Sequence, residues 1–404
     1  MTPSVSHSYL NLISLLWLIP AGLLLAIAAQ VINSRILRRK MTIAETEKLQ
    51  QISDLKLNRW DTPAAIADRE VMVVLLNMGG PRTNADVPGF LKRIFSDPYI
   101  IRFPLSKILQ PFFAWMLTTF RSQATQKRYQ LIGGASPIFD STREQASALQ
   151  KELRVRGRAL DVTFSFNYSS PLPSETIAEI KNSEKKYLLP LSLYPHYSLA
   201  TTGSNMHYLH REAARHFPGL KFLPLPVYYR RDGYLNAFVQ RIHEQLKPGE
   251  TLDEFFLLFS AHGLPAYFLT EGDPYPFQIA ETAGCILQKL NRTRDWMVSY
   301  QSDVGPIQWL KPSTENTLHA LARRGIKKLL SIPISFVSDH IETLCEIDIE
   351  YRKVAEDAGI TDFRMSSALE CHPGFIEALA DAVEAVLPLP EQPPLRQEHL
   401  SNVG

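Results

Sequence analysis

The sequence predicts an α/β fold of two similar parallel-sheet halves, with an apolar helix placed ahead of them. Three observations carry this. Short continuous apolar runs recur between residues 71 and 336, helical patterns separate them, and one run-plus-loop unit occurs twice. Unbroken apolar runs of four to eight residues suit strands covered on both faces. Strands alternating with helices imply right-handed βαβ units and parallel sheets.

Taken in order, residues 12–29 form an uncharged stretch, extendable to Ile32 and followed at once by Arg35, Arg38, Arg39 and Lys40. That length approaches a bilayer span, and the positive flank favours the cytoplasmic side. Residues 1–40 are therefore expected to be a single-pass transmembrane anchor with the catalytic domain on the cytoplasmic side. Ala26-Ile27-Ala28 keeps a cleaved leader open, although the segment lacks a basic start and its core is long. Residues 41–70 read as a polar connector.

Residues 71–76 open the core, and runs at 161–166, 187–193, 255–259 and 329–336 follow as strands. Helical patterns lie at 142–152, 276–290, 315–323 and 375–386. The strand-plus-loop at Leu75-Leu76-Asn77-Met78-Gly79-Gly80 resembles that at Leu258-Phe259-Ser260-Ala261-His262-Gly263. Leu189-Pro190-Leu191-Ser192-Leu193 likewise mirrors Ile332-Pro333-Ile334-Ser335-Phe336. The halves are placed at 71–230 and 231–390, with a tail at 391–404. The first is longer by a segment at 88–129, apolar yet basic, which suits a lip over a flat anionic ligand or a surface resting on anionic lipid. A helical hairpin that only packs on the core is the plain alternative.

A formal charge of +2 gives no field that argues for nucleic acid. Three cysteines without CxxC spacing exclude a disulfide scaffold and an all-cysteine iron–sulfur site. No Walker loop, Rossmann glycine fingerprint or nucleophile elbow is present, which speaks against nucleotide-dependent and esterase chemistry.

Ligands of open α/β sheets bind beyond the carboxyl ends of strands. His196, His262, Asp339 and His340 all follow such ends, so both halves should converge on one cleft. Glu342, Glu346 and Glu350 recur every four residues and form one acidic stripe on a helix. Like charges at that spacing repel, so a cation should face them unless the stripe is a solvated surface. Asp339 reads equally as a helix N-cap with Glu342 completing a capping box. His262 by itself is as consistent with a packed histidine as with a base. Trp309, in a loop beside Gly305-Pro306, suits either the core or stacking on a planar ligand.

Together these segments resemble the ferrochelatase family, which inserts ferrous iron into a porphyrin. The resemblance spans about 71–386. It is carried by Leu76-Asn77-Met78-Gly79-Gly80-Pro81, Ile132-Gly133-Gly134-Ala135-Ser136-Pro137, Tyr194-Pro195-His196-Tyr197-Ser198 and Phe259-Ser260-Ala261-His262-Gly263-Leu264-Pro265. Gly272-Asp273-Pro274-Tyr275-Pro276, the 301–309 loop and Ser338-Asp339-His340-Ile341-Glu342 add to it. It implies two Rossmann-like, chelatase-type halves around a porphyrin cleft. His262 would take pyrrole protons or meet the metal, Glu342 would face it across the macrocycle, and Asp339 and His340 would hold that carboxylate. Glu346 and Glu350 would form an acidic path. Met78, Ser136, Arg121, Tyr168, Tyr194 and Trp309 would bind substrate.

The resemblance further implies protoporphyrin IX and Fe²⁺ as substrates and no required cofactor; membrane lipid as a partner follows instead from the expected N-terminal anchor, which is not a general feature of the family. Some members bind a [2Fe-2S] cluster, but Leu199 stands at its internal cysteine position and no cysteine follows Cys371. Asn167 stands where an arginine often precedes the pocket tyrosine. A chelatase for coproporphyrin or another metal and tetrapyrrole, or a membrane-tethered porphyrin carrier, are the competing readings. Oligomeric state is not legible in the sequence.

Overall fold

The computed structural model describes residues 66–101, 106–302 and 307–387. Two four-stranded sheets, all parallel, have the same topology. In the first the order is β2 (Asp161–Phe166), β1 (Val71–Asn77), β3 (Tyr187–Ser192), β4 (Lys221–Phe222). In the second it is β6 (Trp296–Tyr300), β5 (Phe256–Ala261), β7 (Lys328–Pro333), β8 (Asp362–Met365). The expected runs are β1, β2, β3, β5 and β7, which include both central strands. The unexpected ones, β4, β6 and β8, lie at or near sheet edges. Each includes exposed or only partly buried positions, so no continuous apolar run announces them.

Every residue of β1 and β5 is buried. Alternate side chains of a strand point to opposite faces, and here the two faces serve different cores. Val71, Val73 and Leu75 join Leu257, Phe259 and Ala261 in one large cluster, while Met72, Val74 and Leu76 pack in a second and Phe256 and Leu258 in a third. The large cluster thus lies between the sheets. Its middle layer includes helix Ile138–Val155 of the first half and Asp232–His243 and Pro373–Glu384 of the second. Phe375 on the last of these is fully buried, worth about 1.5–3 kcal/mol of apolar transfer. Arg156 pairs with Asp381 at 2.6 Å and Glu384 at 3.0 Å, tying the same two elements at their rim.

The inserted segment of the first half folds as helices Val87–Phe95 and Ser106–Leu131. Val87, Leu91, Phe95, Ala114 and Tyr129 bury together, with Ile341 of the second half against them. Phe112, Trp115 and Phe120 on the long helix remain exposed.

The expectation of a membrane anchor requires correction. Among the described residues no helix is long and apolar enough to cross a membrane. Residues 1–40, on which the single-pass anchor and the cytoplasmic placement of the catalytic domain rested, lie outside the described residues, as do 41–65 and the 391–404 tail.

Candidate functional site

Both central strands deliver the first residue after their carboxyl end to one cavity: Met78 from β1 and His262 from β5. Each is followed by a glycine that the packing demands. A Cβ at Gly79, where φ is +80°, would lie 2.1 Å from Ser169 Oγ, and one at Gly263 would lie 2.1 Å from the Gln301 carbonyl oxygen. Only glycine allows so close a backbone approach. The His262 backbone is held on both sides, its N–H donating to Ser335 Oγ at 2.9 Å and its carbonyl accepting from Tyr275 OH at 2.9 Å.

The cavity encloses about 790 Å³. Phe90, Leu91, Ile94, Phe95, Ile100 and Ile101 of the insertion form one apolar wall, so that segment does more than pack on the core. Met78, Arg121, Ser136, Tyr168, Tyr194, His262, Trp309, His340, Glu342, Glu346 and Glu350 all line it. Eleven of the twelve expected site residues therefore meet in one place. Trp309 is positioned by a short antiparallel pairing with Pro265 and borders Gly263. Asn167 also lines the cavity and donates to Ser204 Oγ at 2.8 Å.

Asp339 is the exception. It is absent from the cavity wall, and its backbone N–H donates to the Glu370 carboxylate at 2.6 Å. Burial raises the pKa of Asp339, and burial likewise raises that of Glu370. Glu370 was not anticipated; its φ of 46° places a non-glycine residue in the left-handed region. The alternative reading of Asp339 and Glu342 as a capping box is not what forms, because the Glu342 carboxylate turns to two histidines.

His262 Nδ1 lies 3.0 Å and His340 Nε2 3.4 Å from Glu342 Oε2. The expectation that Glu342 faces His262 across a macrocycle is thereby corrected. At 3.0 Å no ring fits between them, and they form one contacting imidazole–carboxylate pair on one wall. Burial opposes the charge of His262, but Glu342, with Glu346 behind it, outweighs this and raises the imidazole pKa. Burial likewise opposes the charge of Glu342, yet His262 and His340 hold it well below the usual carboxylate range.

The stripe runs along Glu342–Tyr351, which is a π-helix continued by α-helix Arg352–Ala358. Its i→i+5 bonding keeps residues four apart near one face and also aligns residues five apart. Tyr351 thus donates to Glu346 Oε1 at 3.0 Å, and the Cys345 thiol reaches Glu350 Oε1 at 3.6 Å. Ser302 adds its N–H and hydroxyl to Glu346, both at 2.9 Å to Oε1. Burial and the neighbouring Glu342 raise the Glu346 pKa despite these donors. Arg128, from the long inserted helix, lies 2.8 Å from Glu350 Oε2 and 3.7 Å from Glu346 Oε2. In the first half, buried Asp97 accepts from Tyr168 OH at 2.5 Å and Ser204 Oγ at 2.6 Å. Arg128, Tyr351, Ser302 and Asp97 are given no site role by the sequence, where nothing but charge marked Arg128 and Asp97 and Ser302 appeared only within the 301–309 loop. Among the described residues no three His, Cys, Asp or Glu side chains are arranged to hold a metal ion.

Two matched parallel sheets whose strand ends meet at a ring-sized apolar cavity with a histidine–glutamate pair define a chelatase-type protein. The family model described as Ferrochelatase matches residues 70–387. The ferrochelatase of Synechococcus elongatus is 43% identical over 82% of this chain and 85% of its own, and that of Gloeobacter violaceus 43% identical over 78% and 97%. Among solved structures, SirB from Bacillus subtilis with Fe³⁺ aligns at a TM-score of 0.44 and 14% identity, over 61% of this chain and 89% of its own. The chain belongs to the ferrochelatase family. It is a metal chelatase that inserts iron into a porphyrin in haem synthesis.

Proposed function

We propose that this chain inserts Fe²⁺ into protoporphyrin IX, releasing two protons, with iron as substrate and no cofactor required. The observation that carries the reading is the His262–Glu342 pair at one wall of an apolar cavity. Forming the metalloporphyrin removes both pyrrole N–H protons. With Nδ1 engaged by Glu342, His262 offers Nε2 as the base, and the carboxylate stabilises the imidazolium that results. His340 steadies the same carboxylate oxygen from behind. Glu346 and Glu350 continue away from the pair as a path for protons or metal. Asp339 acts at one remove, through the backbone it shares with His340 and the carboxylate of Glu370.

Ring binding falls to Met78, Tyr168, Tyr194 and Trp309, with Ser136 and Arg121 as partners for propionate oxygens. The preference for protoporphyrin over the more acidic coproporphyrin is supported by the aliphatic and aromatic wall from Phe90 to Ile101, which suits vinyl groups better than further carboxylates. The test is anaerobic incubation of the purified full chain with Fe²⁺ and protoporphyrin IX, following the porphyrin spectrum. Wild type should yield haem and His262→Ala should bind porphyrin without metallating it. Binding without metallation in wild type as well would overturn the enzyme reading. Faster turnover of coproporphyrin would overturn the substrate.

A further inference from the structure

A buried polar seam fastens the first half to the second beside the cavity. Four consecutive residues after β3 each bond across it. His196 Nε2 lies 2.9 Å from Thr282 Oγ1, and the Tyr197 N–H donates to Gln278 Oε1 at 2.7 Å. Ser198 Oγ and the Leu199 N–H both donate to Asp273 Oδ2, at 2.9 and 2.8 Å. Tyr275, Gln278 and Thr282 recur every three or four residues along helix Tyr275–Lys289 and so share one face. His196, Ser198, Asp273 and Thr282 are all buried, so water does not compete for these bonds.

Asp273 differs from the other partners in serving both halves. Its Oδ2 takes the two first-half donors, while its Oδ1 accepts the Tyr275 N–H at 3.0 Å within the second half. A plain helix cap needs only the Tyr275 bond and leaves the other two unexplained. On the first-half side, Ser198 Oγ accepts in turn from the Ala200 N–H at 3.2 Å, which sets a turn whose Ala200 and Thr201 line the cavity with Tyr194. On the second-half side, Tyr275 OH donates to the His262 carbonyl at 2.9 Å. Bonds to a buried carboxylate are charge-assisted, and leaving one unmade is costly.

We propose that Asp273 is a positioning residue for metal insertion. One oxygen fixes the first-half wall on which the ring rests, and the other, through Tyr275, fixes the backbone of His262. Ring and base are thereby kept in one register across two halves that meet only by packing and such bonds. Asp273 does not line the cavity and acts through these two arms. The proposal rests on reading His262 as the base.

The test separates the arms in the full chain, by steady-state kinetics and by protoporphyrin IX affinity from tryptophan fluorescence quenching without iron. Tyr275→Phe removes only the hydroxyl that holds His262. It should lower kcat about tenfold, the worth of one hydrogen bond, and weaken porphyrin binding less. Ser198→Ala cuts the other arm and should weaken porphyrin binding about fivefold, more than it lowers kcat. Ser198→Thr, which keeps the hydroxyl, should restore the affinity. Asp273→Ala removes both arms, so both constants should move, and adding Tyr275→Phe should lower kcat no further. Should Asp273→Ala fail to fold, Asp273→Asn takes its place. Its single amide oxygen can serve one arm, so one constant should move as in the matching single variant. A merely structural role would move both constants together in every variant. That pattern, multiplying losses of kcat in the double variant, or an Asp273 variant that moves neither constant would overturn the proposal. Failure of wild type to metallate protoporphyrin IX would overturn the proposed reaction, while the affinities would still decide the first arm.

Discussion

Replacing Glu342 by Gln removes the charge that His262 faces while keeping shape and one acceptor oxygen. Two unit charges 3.0 Å apart at an effective dielectric of about 20 attract by about 5 kcal/mol. Desolvation opposes this, and the side chains are 31% and 23% exposed, so the net loss should be about 2–3 kcal/mol, just below the cost of breaking a fully buried pair. If the pair stabilises imidazolium formed during proton abstraction, kcat falls by about a hundredfold. Stability should follow pH with a defined sign. The raised pKa of His262 contributes stability that is complete below the ordinary imidazole value of about 6.5 and is lost as pH rises through the shifted value. The lowered pKa of Glu342 contributes stability complete above the ordinary carboxylate value of about 4.3 and lost as pH falls through the shifted one. Both are present between about pH 4.3 and 6.5. In Glu342→Gln burial prevails at His262, so its pKa drops below wild type. The gap in Tm between wild type and variant should therefore be widest at about pH 5.5, between the two unshifted values, and shrink in the alkaline range. Imidazole resonances of His262 followed by NMR give the titration directly. An unchanged His262 titration, or a Tm gap independent of pH, refutes the argument.

Two further substitutions probe how the cavity is held. Gly263→Ala places a methyl group 2.1 Å from the Gln301 carbonyl oxygen, and the backbone must yield. It should cost about 1–3 kcal/mol, read by denaturant unfolding, and should lower kcat by shifting His262, whereas Gly284→Ala, with open space around its Cβ, should do neither. Asp97→Asn weakens the charge-assisted bonds to Tyr168 and Ser204 and should cost about 1–3 kcal/mol. Because Tyr168 lines the cavity far from the His262–Glu342 contact in sequence and element, its KM for porphyrin should rise more than kcat falls, as steady-state kinetics would show.

What the sequence disclosed and what it hid divide along physical lines. Central strands such as β1 and β5 are buried on both faces and so write unbroken apolar runs. Edge strands such as β8 are wetted on one side and write mixed ones. The positions of Met78 and His262 followed from strand ends, since a strand end and a glycine behind it are local features. Contacts between those ends are not local. His262 and Glu342 could be named, yet whether they touch or face each other across a ring depends on how β5 and the turn after β7 meet. The stripe shows the same limit within one helix. A four-residue spacing stays near one face in either an α- or a π-helix, so Glu342, Glu346 and Glu350 were legible without knowing which formed. The five-residue partners were not, and they matter: Tyr351 satisfies Glu346 only because the helix is wound as π. Arg128 lay furthest out of reach, being one of seven basic residues in the 88–129 insertion and 222 positions from Glu350. Electrostatics nonetheless required something like it. Three carboxylates on one face need an opposing charge, and the histidines supply it at Glu342 while the inserted helix supplies it at Glu350. Glu346 lies between the two sources, and its nearest ionic contact is Arg128 at 3.7 Å. It is therefore the carboxylate of the stripe best placed to take up and release a proton.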